Sequence, residues 1–363
     1  MPPAIHKSSL PPSPLRRLRG QALRVASWIA VVLIMQGCRA PTPVHDAGPY
    51  ALLLGTAQDA GLPQIGCHEP CCEAARANPA KQRLASGLLI VDPASGGRWL
   101  LDAGPDLREQ VELMQGHPTT REHHLKVAEA AANPADLATQ SSNRPPLVDA
   151  IFLTHAHMGH IAGLLHLGRE AYAARDLPIY GTSSMVEFLR NQQPWALMVA
   201  AEHLTPRVLE PGVPVTLRGP GGQPVPNLHI TAFSVPHRDE VTDTVGFLIQ
   251  GPRATLAYLP DIDKWSRWEQ PIEELLAQVD VALLDGTFFA DGELPGRDMA
   301  SIPHPFISES IERLSKQPAS IRSRVHFTHL NHGNPAADPH GEAAKAVAEA
   351  GMNIAQEKGT FAL

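Results

Sequence analysis

The chain has 363 residues, 43% of them hydrophobic and 18% charged, with a formal net charge of −7. That apolar fraction excludes wholesale disorder, and the length allows one large domain or two ordinary ones. An acidic balance repels phosphate backbones, and 5% aromatic residues leave little for base stacking, so a nucleic-acid partner is disfavoured.

The first 38 residues read apart from the rest. Lys7, Arg16, Arg17, Arg19 and Arg24, with no acid among them, precede the apolar run "VASWIAVVLIMQ" and then Gly37 and Cys38. A basic start, a short apolar run and a small-residue site form an export signal, and the run is short for a membrane span. The ending "LIMQGC" resembles a bacterial lipobox with Cys38 as the lipidated residue. Met35 stands where Leu is usual, so plain signal cleavage stays open, as does an uncleaved anchor. Every version puts the body outside the cytoplasm, on the periplasmic side, either lipid-anchored to the membrane or released. Without this segment the basic count falls from 30 to 25 against 37 acids, a balance near −12.

Residues 39–49 read as a tether, and a single domain is expected over 50–363. "YALLLGTAQ" is a strand running into a Gly turn. "GLLIVDP" and "RWLLDAGP" are strands joined by the hairpin signal "ASGG". "DLREQVELMQG" has helical spacing, and residues 117–147 form a polar, Ala-rich insertion in which His123 and His124 are surface residues. "PLVDAIFLTHAH" is a buried strand, and "GHIAGLLHLGREAYAA" reads as one helix with Ile161, Leu164, Leu165 and Leu167 on its apolar side. "LPIYGT" (strand), "SSMVEFLRNQQ" (helix) and three strands in series, "NLHITAFSVPH", "DTVGFLIQGP" and "RATLAYLPDID", follow. "IEELLAQ", "FISESIERLSK" and "GEAAKAVAEAG" are helices alternating with the strands "VDVALLDGTFF" and "SRVHFTHLNHGNP". Hairpins followed by strand–helix alternation occur twice over.

"HAHMGH" places His155, His157 and His160 within six residues at a strand end. Alternate residues share a face, so His155 and His157 can converge on one divalent ion such as zinc. Further donors stand at later strand ends: His237 in "SVPHRDE", Asp261 in "LAYLPDIDKW" and His329 in "VHFTHLNHGN". In a layered α/β fold such ends gather along one edge. A carboxylate among histidines can bridge two ions.

A histidine cluster, a lone His, a lone Asp and a lone His, in that order, resemble the metallo-β-lactamase superfamily. The resemblance implies an α/β fold, the αββα sandwich of two mixed sheets flanked by helices. It implies His155, His157 and His237 at the first metal, Asp261 bridging, and His160 with His329 at the second, with Asp102 in support. Gly159 stands where the family's H-x-H-x-D-H pattern has a ligating Asp. Either the second site is weak or empty, or water or substrate completes it; a labile second ion is the preferred expectation.

"GCHEPCCEAARANP" adds Cys67, Cys71 and Cys72. Outside the cytoplasm a disulfide competes with zinc, but adjacent Cys71 and Cys72 pair only with strain and three thiols leave one over, which favours a structural zinc. The opening "LLGTAQDAGLPQIGCHEPCCEAAR" is similar to the pyrroloquinoline quinone biosynthesis B family and to the cyclic-phosphate phosphodiesterases of carbon–phosphorus lyase pathways, both with a Cys-rich zinc loop there. The phosphodiesterase branch implies His332 as fourth ligand, with His68 and Glu69 in reserve. "DGTFF", "IPHP" and "HLNHGNP" look more like the B-protein branch.

His304 in "SIPHPF" is a candidate proton donor to a leaving group or a loop histidine packed between prolines, and Asp261 is the other catalytic candidate. Asp239, Glu240 and Asp243 are solvated loop acids or tune the metal. Thr287 could bind a ligand, and Trp265 with Trp268 wall a pocket or pack. The expected cofactors are zinc, one structural and one or two catalytic, with Fe or Mn possible at the catalytic site. The expected partner is a small-molecule substrate. The leading function is a metal-dependent hydrolase of an ester, lactone or phosphodiester. An iron-dependent hydroxylase, implied by the B-protein resemblance, and a non-catalytic binding protein, on the strength of Gly159, are the alternatives.

Overall fold

The computed structural model describes residues 48–116 and 147–363. The expected export segment with Cys38, the expected tether up to residue 47 and residues 117–146 of the expected insertion lie outside the described residues. In the first sheet the strands are β1 (Tyr50–Gly55), β2 (Gly87–Asp92), β3 (Gly97–Leu101), β4 (Ala150–Phe152), β5 (Leu177–Gly181) and β6 (Leu204–Val208). The second sheet is built from β7 (Val215–Arg218), β8 (Pro224–Val235), β9 (Thr244–Gln250), β10 (Thr255–Leu259), β11 (Val281–Asp285), β12 (Val325–Thr328) and β13 (Asn353–Ile354). β14 (Thr360–Ala362) returns to the first. The strand orders are β14-β1-β2-β3-β4-β5-β6 and β13-β12-β11-β10-β9-β8-β7, both mixed.

The helices cover the outer faces: α1 (Pro70–Ala77), α2 (Leu107–Gly116), α3 (Met158–Ile161), α4 (Ser183–Asn191), α5 (Trp195–Ala200), α6 (Ile272–Gln278), α7 (Ile307–Leu314), α8 (Ala319–Arg322) and α9 (Glu342–Glu349). Period-two alternation sorts each strand between two cores. Leu53 and Leu88 point between the sheets, where they join Trp99, Phe152, Ile230, Phe247 and Tyr258. Leu52, Leu54 and Leu89 point outward to Met114, Leu164 and Leu189. On the far side Leu259, Leu284 and Phe327 pack on Leu275, Ile307 and Val347. Strands buried on both faces read as unbroken apolar runs, which is why "YALLL" and "GLLIV" lack polar alternation. Each fully buried Leu or Phe contributes roughly 1.5–3 kcal/mol. The result is the αββα sandwich expected from the sequence.

One expected element differs. The stretch after the histidine cluster is a four-residue helix, α3, followed by a 3-10 turn over Ala162–Leu167, and no long helix forms. A Cβ at Gly163 would lie 2.6 Å from the Leu107 Cβ and nearer still to the Gly104 carbonyl. The backbone there lies directly on the β3–α2 corner, and that close approach outweighs helical periodicity.

Candidate metal centre

The strand directions bring the donors together. β1 and β3 are each antiparallel to β2, and β3 is parallel to β4, so all three end at one edge. β8 and β10 are each antiparallel to β9, and β10, β11 and β12 are parallel. The residues after β1, β3, β4, β8, β10 and β12 therefore meet where loops can carry chemistry.

Asp261 lies at the middle. Its Oδ2 is 3.3 Å from His155 Nε2, 2.9 Å from His160 Nε2 and 4.0 Å from His237 Nε2. Its Oδ1 is 3.4 Å from His329 Nδ1 and 3.5 Å from His304 Nδ1. These are close approaches without hydrogen-bond alignment. The Nε2 atoms of His155, His157, His160 and His329, both ring nitrogens of His237, and Asp261 Oδ1 are all buried with no hydrogen-bond partner. A buried orphan polar atom costs about 1–3 kcal/mol; one nitrogen of the His237 ring keeps its proton, and the other six atoms form a cost that bound cations would relieve together. Candidate ligand atoms of His155, His157, His237 and Asp261 lie within 4.8 Å of one another. The donor set therefore fits a divalent metal.

Each half of the sandwich aims its histidines in the same way. Asp102, buried at the end of β3, accepts from His160 Nδ1 at 2.8 Å and from the Thr154 hydroxyl. Thr154 Oγ1 lies 3.0 Å from His155 Nδ1 and so accepts its proton. In the other half Asp285 accepts from the Thr287 hydroxyl at 2.7 Å and from His304 Nδ1 at 2.8 Å. Thr287 Oγ1 in turn takes His329 Nδ1 at 3.0 Å. A carboxylate–threonine pair thus fixes the tautomers and turns the Nε2 lone pairs of His155, His160 and His329 inward. Thr287 is fully engaged in this support, which corrects the expectation that it binds a ligand. Asp102 and His329 both adopt left-handed backbone, φ 61° and 59°, as the tight strand-end corners require.

The titration of the centre favours metal-ready forms. Burial first, then the neighbouring His160, drives the His155 pKa well below its usual range. Burial lowers His237 to about 4 and, with Arg238, lowers His157. Neutral imidazoles are the form that ligates. For Asp261 burial acts upward, but His329, His237 and His160 outweigh it and hold the carboxyl well below its ordinary value. His304 is the contrast: burial acts against its charge, yet the Asp285 carboxylate and its hydrogen bond raise its pKa.

The sequence did not point to Asp59. It follows β1, and its carboxylate stands within 4.8 Å of candidate ligand atoms of His160 and His329. The signal was present in "GTAQDAG", an acid just past a buried strand end, the same pattern that marks His237 and Asp261.

A separate donor group forms around His332. Its Nδ1 lies 3.8 Å from Cys67 Sγ, 3.6 Å from Cys71 Sγ and 3.5 Å from Cys72 Sγ. The Cys71 and Cys72 sulfurs are 4.0 Å apart, and all three thiols are free. α1 carries Cys71 and Cys72, and Leu62 and Ala75 pack around the sulfurs. Burial pushes the Cys72 thiol up to about 12, so a cation is what would hold it as thiolate. His68 pairs with Glu73 at 2.8 Å on the surface, and Glu69 approaches the group through its backbone N–H, which donates to Cys67 Sγ, while its carbonyl accepts from the Glu73 N–H.

The remaining candidates resolve simply. Glu240 Oε1 lies 3.2 Å from His157 Nε2, whereas the Asp243 carboxylate caps Thr182 and Ser184. Trp265 donates to Ser310 and lines a cavity with Lys264, Phe306 and Glu309, whereas Trp268 donates to the Ser234 carbonyl and stacks on Phe233.

This sandwich, with a histidine–aspartate centre at its strand-end edge, defines the metallo-β-lactamase class. The chain matches the model of the beta-lactamase superfamily domain over residues 98–354 and belongs to the metallo-β-lactamase superfamily. The match takes in every donor from Asp102 to His329; Asp59 and the cysteines precede it. Among curated proteins the chain is similar to coenzyme PQQ synthesis protein B. It is 27% identical to that of Methylobacterium sp. (strain 4-46) over 336 residues, covering 86% of this chain and 99% of the relative. With that of Methylobacterium nodulans it is 29% identical over 331 residues, covering 85% and 97%. Among solved structures, zinc-bound PqqB from Methylobacterium extorquens superposes with a TM-score of 0.66 at 23% identity, covering 86% of this chain and all of that one. A diphosphatase of the PhnP family superposes with a TM-score of 0.56 at 20% identity, covering 86% and 96%. Both superpositions establish the fold.

Proposed function

We propose that the chain is a metal-dependent hydrolase of an ester, lactone or phosphodiester bond. The carrying observation is the ring of buried, unpartnered donor atoms on His155, His157, His160, His237, His329 and Asp261. His155, His157 and His237 would hold one ion, Asp261 would bridge, and His160 with His329 would face a second. A bound ion supplies Lewis acidity and acidifies a water. The protein does the rest. Asp102 and Asp285 keep the ligand rings in place. His304, its Nδ1 committed to Asp285 at 2.8 Å, presents Nε2 as the atom that hands a proton to the leaving group. Burial opposes a charge on His304, yet the Asp285 carboxylate raises its pKa and so favours the proton-bearing form. Cys67, Cys71, Cys72 and His332 would hold a structural zinc outside the reaction.

The test is a panel of nitrophenyl esters, lactones and bis-nitrophenyl phosphate with zinc-loaded protein. Hydrolysis should vanish with chelator, return with zinc and be absent from a His155→Ala, His157→Ala double variant. Activity that survives in the double variant, with its metal content unchanged, overturns the proposal. The similarity to coenzyme PQQ synthesis protein B supports a second reading, an iron-dependent hydroxylase. Oxygen consumption by iron-loaded protein on addition of a tyrosine-derived substrate would favour it. A non-catalytic role rests on Gly159 alone, and the carboxylate of Asp59 close to it weighs against that role. For the location we propose export and lipidation at Cys38, with the domain held at the membrane on the periplasmic side. Failure of a Cys38→Ala variant to shift from membrane to soluble fraction would contradict this.

A further inference from the structure

We infer that Asp59 is the carboxylate ligand of the second ion, supplied by the β1 loop in exchange for the one Gly159 lacks. The inference rests on the reading of the centre as a metal site and adds a residue to it. Three observations carry it. Candidate ligand atoms of Asp59, His160 and His329 lie within 4.8 Å of one another. His160 and His329, 0% and 1% exposed, each present an orphan Nε2 to that point. Asp59 also occupies the room that a side chain at 159 would need. A Cβ built on Gly159 lies 2.7 Å from Asp59 Cα and closer still to its Oδ1. The two positions exclude each other, so a carboxylate can enter from the β1 loop or from α3, and this chain uses the loop.

The loop is built to hold that carboxylate still. The Gln58 N–H donates to the Leu330 carbonyl at 2.9 Å, and the Leu330 N–H donates to the Thr56 carbonyl at 2.7 Å. The Thr56 and Ala57 N–H groups both donate to Leu84 O, at 3.0 and 2.9 Å. The residue before Asp59 is thereby tied to the residue after His329, across the two sheets. Asp59 itself sits at φ 39°, left-handed backbone that Asp and Asn tolerate better than most residues. Loop and ligand position are therefore fixed before any ion arrives, which is the condition for tight coordination.

The experiment counts ions. Full-length protein is stripped, reloaded with excess Zn²⁺, desalted and analysed by mass spectrometry, alongside Asp59→Asn. Asparagine keeps the shape and the backbone preference and removes the charge. Metal-free circular dichroism verifies folding, and Asp59→Ser is the second variant should Asn misfold. The parent should hold three ions, one among the cysteines and two in the histidine centre. Asp59→Asn should hold two, with the weaker step of a Zn²⁺ titration falling by more than the roughly 10–100-fold that loss of an outer partner costs. Mn²⁺-loaded parent should give the electron paramagnetic resonance of a coupled pair, and the variant that of an isolated ion. Three ions with unchanged affinities in Asp59→Asn, or one ion in the parent's histidine centre, overturn the assignment. A one-ion centre that still hydrolyses substrate leaves the hydrolase reading intact, whereas a two-ion centre without hydrolysis overturns that reading and keeps Asp59.

Discussion

The two donor groups of this chain are assembled in opposite ways. The cysteine group draws three thiols from six consecutive residues, Cys67 to Cys72, and a single distant partner, His332. The histidine centre takes its donors from the ends of β1, β4, β8, β10 and β12 and has a carboxylate at its middle. Soft, closed, locally encoded ligands suit an ion that staples a loop. Mixed nitrogen and oxygen donors at a strand-end edge, with aimed tautomers and His304 alongside, suit an ion that works on a substrate. The groups are also coupled: His332 is three residues beyond His329, and the loop carrying Asp59 leads directly to Cys67.

This contrast gives graded predictions. The largest effect should come from His155→Ala with His237→Ala, which removes the first ion. Hydrolysis should drop by at least about 10³-fold, the scale that several kcal/mol of lost charge stabilisation implies, as read by kcat/KM on the best panel substrate. His304→Gln should lower kcat about 10²-fold for poor leaving groups and far less for nitrophenolate, which needs no proton. Equal losses on both substrates would remove His304 from the proton-donor role. Asp102→Asn should weaken metal binding about 10–100-fold by freeing the His160 tautomer, with a smaller change in kcat at saturating metal. In a chelator competition, unchanged affinity would break the claim that Asp102 works through His160.

Cys72→Ser should behave differently. It should lower the unfolding midpoint by several degrees, the response of a domain this size to a loss of about 2 kcal/mol, while kcat at saturating zinc changes less than about threefold. A large kcat loss with a normal midpoint would invert the assignment of the two sites.

The smallest effect concerns Glu357, whose carboxylate accepts from the Leu84 N–H at 2.6 Å and so supports the segment that fastens the Asp59 loop. Burial raises its pKa to about 7. The folded state then binds more protons than the unfolded one between about 4.5 and 7, so stability from this group falls as pH rises through that window. Glu357→Gln should flatten that part of the stability–pH curve.

The histidine centre was legible in the sequence because each of its recognised donors follows a buried apolar strand. Three histidines within six residues at a strand end also suit little besides a metal ion. Asp59 escaped because a single acid in a Gly-rich turn is common; its packing against Gly159 and its approach to His160 and His329 show its place. β6 and β7 also escaped. "LTPRV" contains Pro206, and "VTLR" is too short for alternation to register, so both are edge-region strands defined by their neighbours. β13 and β14, of two and three residues, exist only because β12 and β1 offer them partners. The short α3 shows the converse, where contact with Gly104 overrides an apolar spacing that favours helix.

The most direct measurement of the central claim is a crystal structure of the zinc-loaded chain with anomalous scattering at the zinc edge. Two peaks should flank Asp261, one beside His155, His157 and His237 and one beside Asp59, His160 and His329, with a third among Cys67, Cys71, Cys72 and His332. Strong occupancy of the cysteine group with no peak beside Asp261 would contradict the account.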